Sequence, residues 1–283
     1  MQWTPIYDMM MELMQLEPVI GHTRGTRSDE RYRGQLSKWL SDHQLDEIFN
    51  ETDELKHAKL LRSHLAPLMK SDDANIGINV SKWVVKEWGG IQSGIDTVAL
   101  WHKTCNQYGR GEVNTFVIQM GSKRIASWSK ILSFVYPQEY PIYDARIGAA
   151  LNSVLWQLRA PRYFPKVGTQ NGPANRAFEI MNKSPMWRPY LLTYYNYKSL
   201  IYLIAQHRFG GDLLHAELSV FNASLRIIDD FMSAYEAYRQ EGSTRRRNGG
   251  RFLVRFSDLG EIRKAKSEQI ADISSEEQKN LPL

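Results

Sequence analysis

The chain has 283 residues, 42% of them hydrophobic and 24% charged, enough to bury a sizeable core as one large domain or two intimate lobes. A single cysteine, Cys105, excludes an intramolecular disulfide framework and a cysteine-based zinc or iron–sulfur site. The formal charge of +5 agrees with a polyanionic partner without requiring one.

No apolar run approaches membrane-span length, and the first 18 residues carry acidic but no basic side chains. The chain therefore reads as soluble, unexported and cytoplasmic, with no membrane partner. Residues 1–20 have the spacing of a short helix, with Met10, Leu13, Met14 and Leu16 on its apolar side. The polar run 21–34 carries Arg24, Arg27, Arg31 and Arg33 and reads as a solvated connection, the alternative being a phosphate-contacting loop. Helical spacing returns at Leu36, Trp39 and Leu40 and again at Leu60, Leu61, Leu65 and Leu68. His57 and His64 share a helical face there, with no third ligand to make a metal site. Residues 71–77 read as a turn. Beyond it Val80, Trp83, Val84, Trp88 and Ile91 form an apolar stripe, whose tryptophans are core residues or a stacking surface for an extruded base. His102 and Cys105 stand three apart, and a cysteine so placed is more often an apolar filler than a nucleophile.

The most informative stretch is 118–158. Ile125, Trp128, Leu132 and Val135 predict a helix that opens after Gly121-Ser122 and is stopped by Pro137 and Pro141. A second helix follows with Ile147, Ala150, Leu151, Val154, Leu155 and Leu158 on one face. Asp144 stands just before its first turn, where a side-chain oxygen can accept from free backbone N–H groups. Hydrogen bonds and the helix dipole both favour negative charge at such a position.

Past it, residues 160–176 form a Pro/Gly-rich loop in which Arg162 and Lys166 interleave with Tyr163 and Phe164, as in segments that lie along a nucleic-acid backbone, or else a plain surface loop. Residues 189–238 are helical again. The segment 241–283 is basic, with Arg245, Arg246 and Arg247 before Gly249-Gly250 and a strand-like run at 252–256.

A glycine-containing hairpin with basic residues, a helix, a Pro-x-Tyr-Asp turn and an Asp-capped helix together resemble the catalytic region of the helix-hairpin-helix DNA glycosylases, the superfamily of endonuclease III and the 8-oxoguanine glycosylases. The run Ile118-Gln119-Met120-Gly121-Ser122 stands where that family commonly has Leu-Pro-Gly-Val-Gly. The resemblance implies a mainly α, two-lobed helical bundle with a helix-hairpin-helix element and little β structure. It implies double-stranded DNA as partner, gripped by Gly121, Ser122 and Arg124, with Arg162, Lys166, Arg245, Arg246 and Arg247 as further contacts. Asp144 is then the essential carboxylate. Trp128, Tyr136, Tyr140 and Tyr143 are the nearest aromatic residues for a base pocket. The resemblance implies no cofactor beyond a monovalent cation at the hairpin.

The implied activity is hydrolysis of the N-glycosidic bond of a damaged or modified base, leaving an abasic site. Family members that also cleave the strand use a hairpin-helix lysine, for which Lys123 and Lys130 are the candidates. Arg124 lies nearest the family position, and an arginine cannot act as that nucleophile, so a water-activating, monofunctional enzyme is expected, with Lys123 and Lys130 contacting phosphate or solvent. Modified bases of phage DNA are among the substrates such a divergent member would serve. The alternatives are a DNA-binding module without chemistry, in which Asp144 is only a cap, and a metal-dependent nuclease, which lacks a dense Asp/Glu/His cluster.

Overall fold

The computed structural model describes residues 26–92, 96–105, 110–157, 160, 162–168, 171–183 and 192–247, and of residues 26–29, 110–112 and 238–247 it describes the backbone. The helix expected over 1–20, Leu158 and the strand-like run near the C-terminus lie outside these residues. The described residues are mainly helical and include no strand. They form α1 (Thr26–Leu36), α2 (Asp42–Phe49), α3 (Glu54–Met69), α4 (Ala74–Lys82), a π-helical turn (Trp83–Trp88), α5 (Thr97–Thr104), α6 (Arg110–Met120), α7 (Ile125–Val135), α8 (Ala145–Gln157), α9 (Gly172–Asn182), α10 (Tyr194–Arg208) and α11 (Leu213–Arg247). The chain divides into a unit of residues 1–231 and a unit of residues 232–283, and all packing described below belongs to the first.

Helix starts follow side-chain capping. Ser41 accepts from the N–H of Gln44, whose side chain accepts from the N–H of Ser41, closing a capping box on α2. Thr193 closes a second capping box on α10, and the side chains of Asp53, Asp73, Asp96 and Asn171 accept from first-turn N–H groups of α3, α4, α5 and α9. Two local expectations change as a result. The run 21–34, expected to be a connection, is helical from Thr26. Within 71–77 only the first residues turn, because the Asp73 carboxylate takes the N–H of Asn75 at 2.8 Å and starts α4 at Ala74.

α7 is the centre of the first unit. All eleven of its residues are buried, including Ser127, Ser129, Ser133 and Lys130, and it packs against α3, α5 and the π-helical turn. α8 packs against α9, and α4 against both α3 and α5. The α4–α5 contact depends on Gly77. A Cβ there would lie 2.5 Å from Nε1 of Trp101, a ring that is 1% exposed and donates to the Met69 carbonyl at 2.7 Å. Gly77→Ala is expected to destabilise the protein by about 1–3 kcal/mol despite the better helix propensity of alanine, read as a lower urea midpoint. An unchanged midpoint would mean that Trp101 has room to move.

No helix among the described residues is long and apolar enough to cross a membrane.

Candidate active site

Residues 118–122, expected to form a hairpin, divide between the end of a helix and a turn. Ile118, Gln119 and Met120 finish α6, and the turn is Gly121–Arg124, all four residues exposed. Gly121 (φ 52°) and Arg124 (φ 59°) both adopt the left-handed conformation, which costs an arginine more than a glycine. Lys123 is thus presented to solvent on a tight turn.

The segment between α7 and α8 is organised differently. Pro137 and Pro141 keep it out of helix, and residues 140–144 run without regular structure, so their backbone groups need partners from elsewhere. Side chains from three helices supply them. Tyr194 donates to the Pro141 carbonyl at 2.6 Å and Tyr197 to the Ile142 carbonyl at 2.5 Å. Glu217 Oε2 accepts from the Ile142 N–H at 2.8 Å. Ser129 Oγ accepts from the Tyr143 N–H at 3.1 Å and donates to the Tyr143 carbonyl at 3.3 Å. Burial holds the Tyr194 and Tyr197 phenols well above their ordinary pKa, so both keep the protons they donate. Asp144 then opens α8 with Oδ1 accepting from the Ile147 N–H at 3.0 Å, the cap expected from sequence.

Asp144 lines a cavity of about 390 Å³. Its aromatic lining comes from Tyr32, Trp88, Phe134 and Phe221, and its charged lining from Glu54, Arg62, Lys130, Asp144, Arg146 and Glu217. Trp88 meets Phe134 edge-on with centroids 5.1 Å apart, and the Arg146 guanidinium lies 3.7 Å from the centre of the Phe221 ring. Arg62 and Glu217 form a buried ion pair at 2.6 Å, each residue 3% exposed. Glu217 therefore has both oxygens engaged, one by Arg62 and one by the backbone that carries Asp144.

Lys130 is the second ionisable group of interest. It is 6% exposed and lines the cavity, and no ion pair within 4 Å joins it to a carboxylate among the described residues. Burial lowers its pKa below the ordinary lysine value of 10.5, partly offset by the charges of Asp144 and Glu217. Lys130 is not the solvated side chain expected from sequence, because α7 is buried on every face. Arg146, half-buried, has its pKa lowered by the same desolvation, with Asp144 opposing it.

Other sequence-picked residues lie elsewhere. Trp128, Tyr140 and Tyr143 are core residues rather than pocket walls. Trp128 Nε1 donates to the Lys123 carbonyl at 3.0 Å, Tyr140 to Asn114 at 2.9 Å and Tyr143 to the Pro165 carbonyl at 2.7 Å. Tyr136 is half-buried with the Lys70 ammonium 4.6 Å from its ring centre, and it too is away from the cavity. Of the two stripe tryptophans Trp88 lines the cavity, whereas Trp83 packs on Tyr32 and donates to Gln35. Arg162 is exposed and Lys166 half-buried over Phe178, while the side chains of Arg245, Arg246 and Arg247 lie outside the described residues. The Cys105 thiol is pushed up to about 11 by burial, which leaves almost no thiolate at neutral pH and removes the nucleophile reading. His57 meets the Ile48 carbonyl, and His64 meets Gln44 and Glu47. Among the described residues no three His, Cys, Asp or Glu side chains are grouped to hold a metal ion.

Sequence reasoning missed Arg62 and Glu217. The signal was present: Glu217 falls on the apolar face of Leu214, Leu218 and Phe221, and Arg62 on that of Ala58, Leu65 and Met69, and a charge in the middle of an apolar stripe is a buried charge needing a partner.

Compared with known proteins, the chain matches no family model, no curated protein and no solved structure.

Proposed function

We propose that this protein is a DNA glycosylase that turns a damaged or modified base out of double-stranded DNA and breaks its N-glycosidic bond. The observation that carries the reading is the placement of Asp144. A carboxylate capping a helix, on backbone held by side chains of three other helices, faces a cavity lined by aromatic rings. Cavities of roughly 300–1,000 Å³ are the usual size for small-molecule sites, and an extruded base needs a pocket with stacking walls. Cleavage passes through a sugar with oxocarbenium character, which a fixed carboxylate beside C1′ stabilises. Water then adds to C1′, and the base leaves with a proton. The exposed turn Gly121–Arg124, with Lys123 and Arg124, is the natural phosphate contact, and the cytoplasm is where such a chain would meet DNA. The test is abasic-site formation on a panel of damaged duplexes and modified phage DNAs, read with an aldehyde-reactive probe. A panel extended across every base class that yields no abasic sites retires the proposal.

The position of Lys130 favours a second reading in which its amine, rather than water, attacks C1′ and displaces the base, giving an imine that leads to strand cleavage. Borohydride should then trap a protein–DNA adduct that is absent in Lys130→Met. Because the folded pKa is lowered, the neutral amine is more abundant at any pH than for an exposed lysine, and trapping rises as pH climbs through that lowered pKa. The stability effect has a definite sign. Protonated Lys130 is disfavoured in the fold, so the destabilisation is complete below the folded pKa and fades as pH approaches 10.5. Lys130→Met is expected to raise Tm at pH 7, and by less at pH 10.

A further inference from the structure

The Lys130 side chain starts on a helix buried on all sides, so its route to the cavity has to pass between other elements. That route runs over Gly89, the residue that ends the π-helical turn and itself lines the cavity. A Cβ at position 89 would lie 2.7 Å from Cδ and 2.8 Å from Cε of Lys130, and 2.7 Å from the Val85 carbonyl oxygen. Carbon atoms that are not bonded stay about 3.5–4.0 Å apart, so Lys130 and any side chain at 89 cannot both occupy these positions. Gly89 has φ −84° and ψ −8°, a backbone open to every residue type. These angles do not require the glycine; its contacts do, the turn's own Val85 carbonyl oxygen and the Lys130 stem laid over it. The π-helical turn contributes the same feature from the other side: an extra residue within a helical turn shifts the register of everything after it, and such turns recur at functional sites. Here the shifted register presents Trp88 to Phe134 and bare backbone to Lys130.

We propose that Gly89 is a positioning residue for Lys130: the absent side chain is the channel along which the lysine's aliphatic stem is laid, delivering its amine into the cavity beside Asp144. The assignment rests on the base-excision reading for what the amine does there, but not for where it is. A side chain at 89 pushes Cδ and Cε aside, and the amine leaves the cavity or the π-helical turn moves away from α7.

The experiment reads the amine without any DNA. The folded full-length protein is treated with limiting formaldehyde and cyanoborohydride near pH 7, and methylation of Lys130 is compared by mass spectrometry with that of exposed Lys123. Lys130 in the wild-type protein is expected to be modified ahead of Lys123. In Gly89→Ala the order should reverse, with Lys123 modified ahead of Lys130. Gly34→Ala, at an exposed position where a Cβ meets nothing within 4 Å, should leave it unchanged. Should Gly89→Ala prove unstable, the same substitution made in Lys130→Ala decides: a Tm equal to that of Lys130→Ala alone places the conflict at Lys130 and supports the assignment. A Tm loss from Gly89→Ala that is as large in the Lys130→Ala background as in the wild type places it at the Val85 carbonyl and overturns the assignment, as does a folded Gly89→Ala protein with a wild-type ratio. Loss of the ratio in Gly89→Ala, in a protein that makes no abasic sites on any DNA, would retire base excision and keep Gly89 as the residue that places Lys130.

Discussion

Asp144→Asn should lower abasic-site formation by roughly 10²–10³-fold, the scale of effect seen when one preorganised electrostatic partner of a transition state is removed. Asparagine caps a helix about as well as aspartate, so the variant should lose well under about 1 kcal/mol of stability and bind DNA as the wild type does. Those two controls separate the chemistry from the scaffold. The Ile147 N–H keeps an acceptor, the turn keeps its side-chain partners, and only the negative charge facing the cavity is gone. If Asp144→Asn made abasic sites at the wild-type rate, the residue would be a cap and nothing more. Equal binding by both proteins with no product from either would point to a DNA-binding module without chemistry.

Glu217→Ala should have the largest effect on stability. It leaves the Arg62 guanidinium buried without its carboxylate and the Ile142 N–H without its acceptor. Removing one partner of a buried ion pair costs about 3–5 kcal/mol, and an unsatisfied N–H adds to that. Replacing both charges by apolar residues of similar size, Arg62→Met with Glu217→Leu, should restore most of the stability, because burying the two charges was itself costly. The double variant should nevertheless stay catalytically impaired, since the Ile142 N–H remains unpaired two residues before Asp144. Urea denaturation combined with the abasic-site assay would resolve the two effects. A double variant that recovered stability and activity together would mean that Glu217 has no part in placing Asp144.

The contrast between what was and was not legible in the sequence has a physical basis. The cap at Asp144, the helix 125–135 and its stop at the prolines were readable because each is decided within a few residues, by a hydrogen bond, a period or a missing N–H. The start of α1 within a basic, polar run was missed because polarity alone does not argue against a helix. Apart from Trp88, one of the two tryptophans read as core or stacking surface, the cavity walls were missed for a different reason. Trp128, Tyr140 and Tyr143 are close to Asp144 in sequence, but proximity along a chain does not say which way a ring points. They turn into the core, and Tyr32, Trp88 and Phe221 come to the cavity from three other helical segments. The burial of Lys130 was not legible because a lysine in a helix is normally at the surface, and only packing on every face of α7 makes this one an exception.

The four side chains that hold the backbone before Asp144 come from far along the chain. Ser129 is 14 residues from its partner, Tyr194 and Tyr197 are 53 and 55 from theirs, and Glu217 is 75. None of these contacts can form until the intervening loops have closed, and loop closure is the slow, entropically opposed part of assembly. The carboxylate is thus placed late, after α7, α10 and α11 have met. Residues 118–158, transplanted onto another scaffold with every sequence signal intact, would carry the aspartate but not its aim. The candidate site is an arrangement of distant segments, and it exists only in the assembled fold.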